Sequence, residues 1–222
     1  MKILCISDQI DPLVYTPSIK ERFADVDFIL SAGDLPFDYL DYIVSVLNKP
    51  LFFVFGNHHT EELKHYKRIW CTQPVELNKE FYCCGAVHIG TRVITESGII
   101  LAGLGGSMRY NEGANQYTDL QMYIEIIRLL PRLLWNRIFH GRFLDILLTH
   151  APPNGIHDKN DKCHRGFKSY IWFMKKLKPK YLVHGHIHLY DLADIRCTKW
   201  MDTTVINAYS HYVINSGELN GV

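Results

Sequence analysis

Short apolar runs of strand length alternate with helix-like stretches at the start of the chain, and this alternation restricts the fold more than any other feature. The runs cover residues 3–7, 27–31 and 51–55, and each has the β-branched or aromatic content of a buried strand. Residues 18–23 and 37–47 lie between them and have apolar residues at helical spacing. Strands that alternate with helices predict a parallel βαβ arrangement.

The rest of the chain predicts further strands and two more helices. Candidate strands lie at residues 87–89, 92–95, 98–104, 143–149, 181–185, 193–197 and 203–206, and candidate helices at 117–139 and 167–177. Pro131 is expected to interrupt the longer helix, because proline removes a helical hydrogen bond. Ser18 and Glu21 are expected to form a capping box on the first helix. No repeat or linker divides the 222 residues, so we expect one α/β domain over residues 1–222.

The charge of the chain is nearly balanced. Lys and Arg number 24 against 23 Asp and Glu, which gives a formal net charge of +1. Such a composition predicts no bulk attraction to nucleic acid or to an anionic membrane. No apolar run reaches the roughly 18 residues of a spanning helix, and the opening MKILCISD lacks the pattern of a signal peptide. Because the six cysteines include no Cys-x-x-Cys pair, free thiols and a cytoplasmic location are expected.

Predicted buried strands end in polar residues of the kind that bind metals. These ends are CISD at Asp8, SAGD at Asp34, VFGNHH at Asn57 to His59, LLTH at His150 and LVHGHIH at His184 to His188. One Asp after a strand is usually a turn or a cap, and a lone His is usually a core or surface residue. Five such ends in one chain instead indicate one site, because ligands of open α/β sheets collect at the carboxyl ends of strands. Carboxylate, amide and imidazole ligands together suit Mn, Fe or Zn better than Mg or Ca.

The motifs at these strand ends resemble those of the calcineurin-like metallophosphoesterases. That family carries Asp-x-His, Gly-Asp-x-x-Asp, Gly-Asn-His-Asp/Glu, a lone His and Gly-His-x-His, in that order. The corresponding segments here are Asp8-Gln9-Ile10, Gly33-Asp34-Leu35-Pro36-Phe37, Gly56-Asn57-His58-His59, His150 and Gly185-His186-Ile187-His188. The resemblance implies a four-layer α-β-β-α sandwich, in which two mixed sheets are flanked by helices.

A two-metal centre is the site that this resemblance implies. Asp34 would bridge the two ions, and Asp8 and His188 would complete the first position. The second position would be completed by Asn57, His150 and His186. His58 would be the acid or electrostatic partner of the leaving group. The implied activity is hydrolysis of a phosphate ester, either a diester or a monoester, by a metal-activated hydroxide.

Three departures from the family pattern affect this expectation. Ile10 stands where the family has a metal-binding His, so the first metal position is expected to be weak or empty unless Gln9 or Asp11 replaces that ligand. Phe37 replaces the second Asp of Gly-Asp-x-x-Asp. His59 replaces the acid that follows the catalytic His, and it is either a donor that faces the substrate or a helix-start residue.

The expected partner is a small phosphate-ester substrate. Arg165, in the loop after His150, is a candidate phosphate contact because its guanidinium matches phosphate oxygens, although a solvated loop arginine is an equal alternative. A nuclease of the same fold is a second possibility, which the absence of a basic stripe disfavours. A scaffold that has lost catalysis is the third, and the missing first-site His is its support.

Overall fold

The computed structural model describes residues 1–58, 85–191 and 193–215. In chain order its strands are β1 (Lys2–Ser7), β2 (Phe28–Ser31), β3 (Leu51–Phe53), β4 (Ala86–His88), β5 (Arg92–Glu96), β6 (Ile99–Leu104), β7 (Ser107–Met108), β8 (Gln116–Tyr117), β9 (Ile146–Thr149), β10 (Tyr181–His184), β11 (Cys197–Trp200), β12 (Thr203–Asn207) and β13 (Ser210–Asn215). The helices within these ranges are α1 (Ile19–Phe23), α2 (Phe37–Leu47), α3 (Asp119–His140) and α4 (Lys168–Leu177).

Two large mixed sheets contain most of the strands. The first has the order β13-β1-β2-β3-β4, in which β1 to β4 run parallel and β13 is antiparallel to β1. The second has the order β11-β12-β10-β9-β6-β5, with a parallel centre and an antiparallel strand at each edge. Strands β7 and β8 form a separate two-stranded pair.

Alternation of side chains along the strands produces three apolar layers. In β1, Ile3 and Cys5 face the space between the sheets, where they join residues of the second sheet such as Ile146. Leu4 and Ile6 of the same strand point the other way and pack with α1 and α2. On the far side of the second sheet, α3 and α4 cover another apolar cluster. The result is a single α-β-β-α domain, as predicted from the resemblance.

The structure corrects the predicted positions of some edge elements. Strand β13 was not predicted, because its sequence SHYVIN has weak apolar alternation and only Ile214 is fully enclosed. The strand predicted at 193–197 begins only at Cys197. Before it, the Asp194 carboxylate accepts hydrogen bonds from the backbone N–H groups of Tyr190 and Asp191, which fold this segment as a turn. No described helix is long and apolar enough to cross a membrane.

Helix α3 continues through Pro131, although an interruption was expected there. Pro131 lies on the exposed face of the helix, whereas Leu129 and Leu133 on either side of it are buried against the second sheet. The hydrogen bond that proline removes is therefore on the side of the helix that faces water. Burial of the opposite face compensates for a loss that costs about 3 kcal/mol in an isolated helix.

Helix capping differs from the sequence-based expectation. Ser18 makes no side-chain capping hydrogen bond to α1. A full capping box forms instead at α3, where Thr118 Oγ1 accepts from the N–H of Gln121 at 3.3 Å and Gln121 Oε1 accepts from the N–H of Thr118 at 2.9 Å. Both pairs have the required spacing, so spacing alone does not identify the cap that forms.

We predict that Thr118→Ala lowers the free energy of unfolding by about 1 kcal/mol, because the N–H of Gln121 at the start of a long helix loses its acceptor. Ser18→Ala is the matched control and is expected to change the free energy of unfolding by less than about 0.5 kcal/mol. Urea titration followed by circular dichroism measures both. Equal destabilisation by the two substitutions would contradict this assignment of the caps.

Candidate metal centre

The polar strand ends of both sheets meet at one edge of the sandwich. Asp8 follows β1 of the first sheet and His186 follows β10 of the second, and the N–H of His186 donates to Asp8 Oδ2 at 2.8 Å. His150 follows β9 of the second sheet, and its Nδ1 lies 2.8 Å from the carbonyl oxygen of Ala32 in the first. Hydrogen bonds between the sheets therefore position these side chains.

The backbone at these strand ends adopts a conformation that non-glycine residues rarely use. Asp8, Asp34 and His186 have φ values of 63°, 55° and 67°. Such a residue costs on the order of 1 kcal/mol or more, and residues of this kind concentrate at functional sites. The turn that each makes directs its side chain toward the junction of the sheets rather than along the strand.

His150 is the centre of a buried polar cluster. Its Nε2 lies 3.2 Å from Asp34 Oδ2 and 3.1 Å from Asn57 Oδ1. Asn57 Nδ2 donates to the hydroxyl of Tyr110 at 3.3 Å, which orients Oδ1 toward His150. Because Nδ1 of His150 donates to Ala32, a neutral ring would place three lone-pair atoms together. Such a cluster requires a proton or a cation at its centre.

Electrostatics at the cluster support this conclusion. Burial lowers the pKa of His150, but the nearby charge of Asp34, its hydrogen bond and the charge of Asp8 raise it to about 9. Burial raises the pKa of Asp8, and the charge of Asp34 adds to that rise while His150 opposes it. The cluster thus has an excess of negative charge and lone pairs that a divalent cation can compensate.

The three histidines among the predicted ligands, His150, His186 and His188, are each held through one ring nitrogen. The other ring nitrogen of each is left to bind a metal. Besides the bond of His150 to Ala32, Nε2 of His186 lies 2.8 Å from the carbonyl oxygen of Cys163, and Nδ1 of His188 lies 2.7 Å from the hydroxyl of Tyr190. Burial and then the positive charge of His150 lower the pKa of His186 to about 3. His186 is therefore a neutral imidazole with a lone pair on Nδ1, as a metal ligand requires.

Three side chains are close enough to bind a single ion. The ligand atoms of Asp34, His150 and His186 lie within 4.8 Å of one another, and Asn57 adjoins them through His150. Gly56 makes room for this group, since a Cβ there would lie 2.0 Å from Asp34 Oδ1. These oxygen and nitrogen donors fit a divalent metal ion.

The second group of predicted ligands is looser. Asp8 Oδ1 and His188 Nε2 are 3.9 Å apart, and the His188 side chain is 41% exposed. Ile10 is also exposed. Asp11 does not replace the missing ligand, because its carboxylate bonds the Ser210 hydroxyl, Nδ1 of His211 and the N–H of Leu13. Gln9 is exposed, and its role as a replacement remains a prediction.

The remaining predicted site residues have different outcomes. The N–H of His58 donates to Asp34 Oδ1 at 3.1 Å, so this exposed residue adjoins the cluster. His59 lies outside the described residues. Arg165 is exposed, and it directly follows His164, whose ring centroid is 5.5 Å from that of His186. Phe37 packs against Phe53 and Phe55 at the start of α2, so the aromatic core occupies the place of the missing Asp.

The structure also shows contacts near the site that the sequence did not predict. Nδ1 of His157 lies 2.9 Å from Nε2 of His184, and Nε2 of His157 lies 2.8 Å from the hydroxyl of Thr198. The hydrogen bonds from Thr198 through His157 to His184 support the segment that carries His186. Tyr110 orients Asn57, as described above. Both histidines were visible beside the motifs, but their pairing depends on a contact between residues 27 positions apart.

A cavity of about 580 Å³ opens elsewhere, between β13 and the strands β10 to β12. Lys180, Cys197, Lys199 and Tyr212 are among the residues that line it. None of the candidate metal ligands contributes to its wall. The donor set, rather than the size of a cavity, therefore identifies the candidate site.

Comparison with known proteins identifies the family. A family model described as calcineurin-like phosphoesterase matches residues 1–190. The chain belongs to the calcineurin-like phosphoesterase family. This membership supports metal-dependent hydrolysis of phosphate esters as the class of activity. A comparison with curated proteins gave no match.

Solved structures agree with the fold. One superposes with a TM-score of 0.65 at 15% sequence identity and covers 98% of this chain and 95% of its own. GAP50 of Plasmodium, described as the anchor in the inner membrane complex, superposes with a TM-score of 0.52 at 13% identity over 93% of this chain and 70% of its own. Similarity at this level of identity shows the fold alone.

We predict that His150→Ala and His186→Ala each weaken Mn binding by at least about 100-fold, because each removes an imidazole from the cluster around Asp34. His140→Ala, at the exposed end of α3, is the matched control and should bind Mn like the wild type. Metal content after dialysis and calorimetric titration of the metal-free proteins measure this. Full Mn occupancy in either cluster variant would show that these side chains are not ligands.

Proposed function

We propose that this protein is a metal-dependent phosphoesterase that hydrolyses small phosphate esters at the junction of its two sheets. The observation that carries the proposal is the buried cluster of Asp34, Asn57 and His150, whose acceptor atoms face one another at 3.1 to 3.2 Å. A divalent cation at the centre of the three would satisfy all of these acceptor atoms, as a proton on His150 also would.

The residues divide into two metal positions of unequal quality. Asp34, Asn57, His150 and His186 would hold the tighter ion, while Asp8 and His188, with Asp34 between the positions, would hold the weaker one. Divalent cations bound there would neutralise phosphate oxygens and lower the pKa of the attacking water. We favour Mn, Fe or Zn because two of the four ligands at the tighter position are imidazoles.

Groups of the chain itself would orient the reactants. The Tyr110 hydroxyl holds the amide of Asn57, and the backbone carbonyl of Cys163 holds the ring of His186, so both ligands are fixed before substrate binds. His58 is next to Asn57, and its N–H donates to Asp34. We assign its exposed imidazole the role of proton donor to the leaving oxygen. His59 and Arg165 are proposed contacts of the substrate phosphate.

A catalytically weakened scaffold is the alternative that one observation favours. At the first position Ile10 offers no ligand and His188 is 41% exposed. The complete second position argues for hydrolysis, since burial of a carboxylate beside two imidazoles has a desolvation cost that a scaffold has no functional reason to retain. A nuclease is disfavoured by the net charge of +1.

The test of the proposal is hydrolysis of nitrophenyl phosphate and bis-nitrophenyl phosphate by metal-free protein to which Mn is added back. We expect Mn-dependent turnover of at least one ester, and the ratio of the two rates distinguishes monoesterase from diesterase. Stoichiometric Mn binding without hydrolysis of either ester would favour the scaffold. Absence of Mn binding would contradict the metal centre itself.

We predict that His58→Ala lowers kcat by about 10² to 10⁴ for an ester with a poor leaving group, the usual scale for general acid catalysis. An activated nitrophenolate leaving group needs little protonation, so the decrease in kcat for a nitrophenyl ester should be much smaller. Steady-state rates for a matched pair of phenyl and nitrophenyl esters provide the measurement. Equal losses for both esters would exclude His58 as the proton donor.

We predict that Ile10→His binds a second equivalent of Mn more tightly and reaches full activity at lower Mn than the wild type, because a neutral imidazole adds a ligand without charge. Ile10→Ala controls for loss of the apolar side chain and should gain nothing. The measurement is Mn titration of activity together with metal stoichiometry for the three proteins. Two tightly bound ions in the wild type, with no gain in the histidine variant, would show that another group completes the first position.

A further inference from the structure

Helix α3 has apolar side chains on two opposite faces. One face, which includes Met122, Ile126, Leu129 and Leu133, is buried against the second sheet. The opposite face carries an outer stripe of exposed side chains, namely Leu120, Ile124, Ile127, Leu134, Trp135, Ile138 and Phe139. A surface helix with a single partner carries polar residues on its outer face. The outer stripe therefore indicates a second partner.

The outer stripe is large enough to form a stable interface. Leu120 is 72%, Ile138 75% and Phe139 60% exposed, and the other members are between 44% and 58% exposed. Together they present on the order of 800 Å² of surface, which exceeds the largest apolar patch of a typical monomer. Each partner of a standard protein interface contributes about 800 Å².

Four members of the outer stripe are arranged symmetrically about Pro131. Ile124 and Ile138 lie seven residues to either side of it, and Ile127 and Trp135 lie four residues to either side. Two copies of α3 that cross antiparallel at Pro131 would therefore place Ile124 against Ile138 and Ile127 against Trp135 of the second copy. Such a surface is complementary to itself, as a two-fold interface requires.

Charge along the helix favours the same orientation. The segment from residue 126 to residue 144 contains four arginines but no Asp or Glu. Antiparallel packing about Pro131 places Arg128 opposite Leu134 and Arg142 opposite Leu120 of the second copy, and not opposite another arginine. Parallel packing would place arginines against arginines and would be unfavourable.

We propose that the outer stripe of α3 is a homodimer interface in which two copies of this chain pack antiparallel about a two-fold axis at Pro131. Trp135 and Phe139, whose ring centroids are 4.2 Å apart, form its aromatic anchor. Pro131 lies exposed at the axis. Its compact ring lets the two helices approach closely there. An anionic lipid surface is the competing occupant and would be attracted by the arginines, but it would gain nothing from the symmetry of the stripe.

Sedimentation velocity of the full chain at a series of concentrations tests the dimer. The wild type should be dimeric at micromolar concentration, and Ile138→Glu and Leu120→Glu, at opposite ends of the outer stripe, should each raise the dimer dissociation constant by about 100-fold. Ile195→Glu, which replaces an equally exposed residue outside the stripe, should leave it unchanged. Circular dichroism verifies that the variants are folded.

Several results would overturn the proposal. A wild type that stays monomeric at all concentrations would overturn it. If that monomer bound phosphatidylserine vesicles and Ile138→Glu abolished the binding, lipid would be the occupant instead. A dimer that both glutamate variants leave intact would place the interface elsewhere.

Disulfide cross-linking tests the orientation. In the antiparallel arrangement Pro131→Cys meets its counterpart at the axis, whereas two copies of Leu120→Cys are about 33 Å apart along the helix direction. Mild oxidation should therefore link Pro131→Cys rapidly and Leu120→Cys only at the background rate of the wild type, in which Cys163 and Cys197 are exposed among the described residues. Equal cross-linking of the two variants would contradict the two-fold axis at Pro131.

Discussion

The meeting of His150 with Asp34 and Asn57 is the interaction on which the rest of the site depends. His150 comes from the second sheet, and the other two residues come from the first. The ring of His150 is fixed from behind by the carbonyl oxygen of Ala32, so its free nitrogen can only face the two oxygens. The two sheets are therefore joined at this edge by a cluster of lone pairs, which is stable only with a proton or a cation at its centre.

The backbone around this cluster is adapted to it at a cost in stability. Asp8, Asp34 and His186 all have positive φ. Gly185 lies so close to Asp8 that a Cβ on Gly185 would be only 2.4 Å from Asp8 Oδ2. Residues in such conformations each cost on the order of 1 kcal/mol or more, and packing elsewhere in the domain must offset that cost. The three apolar layers of the sandwich supply this packing, and they hold the strand ends in register from both sides.

Local signals predicted the alternation of strands and helices, whereas the layered sandwich and the metal ligands were predicted from the resemblance of the strand-end motifs to a family. Apolar runs such as residues 3–7 and 37–47 each have one clear periodicity, and the motif at Gly185 to His188 has a specific spacing. Other features depend on contacts between distant residues and had no local signal. Strand β13 forms because β1 offers it an edge, and Asp11 turns from the site because Ser210 and His211 of β13 bind it. The pairing of His157 with His184 is of the same kind.

Anomalous scattering from crystals grown with Mn is the measurement that tests the central claim most directly. We predict that the strongest anomalous peak lies in contact with Asp34, Asn57, His150 and His186, and that any peak between Asp8 and His188 is weaker. A Mn site elsewhere, with His150 still bonded to Asp34 and Asn57 alone, would show that a proton satisfies the cluster. In that case the cluster would be a hydrogen-bonded structural contact between the two sheets and not a metal centre.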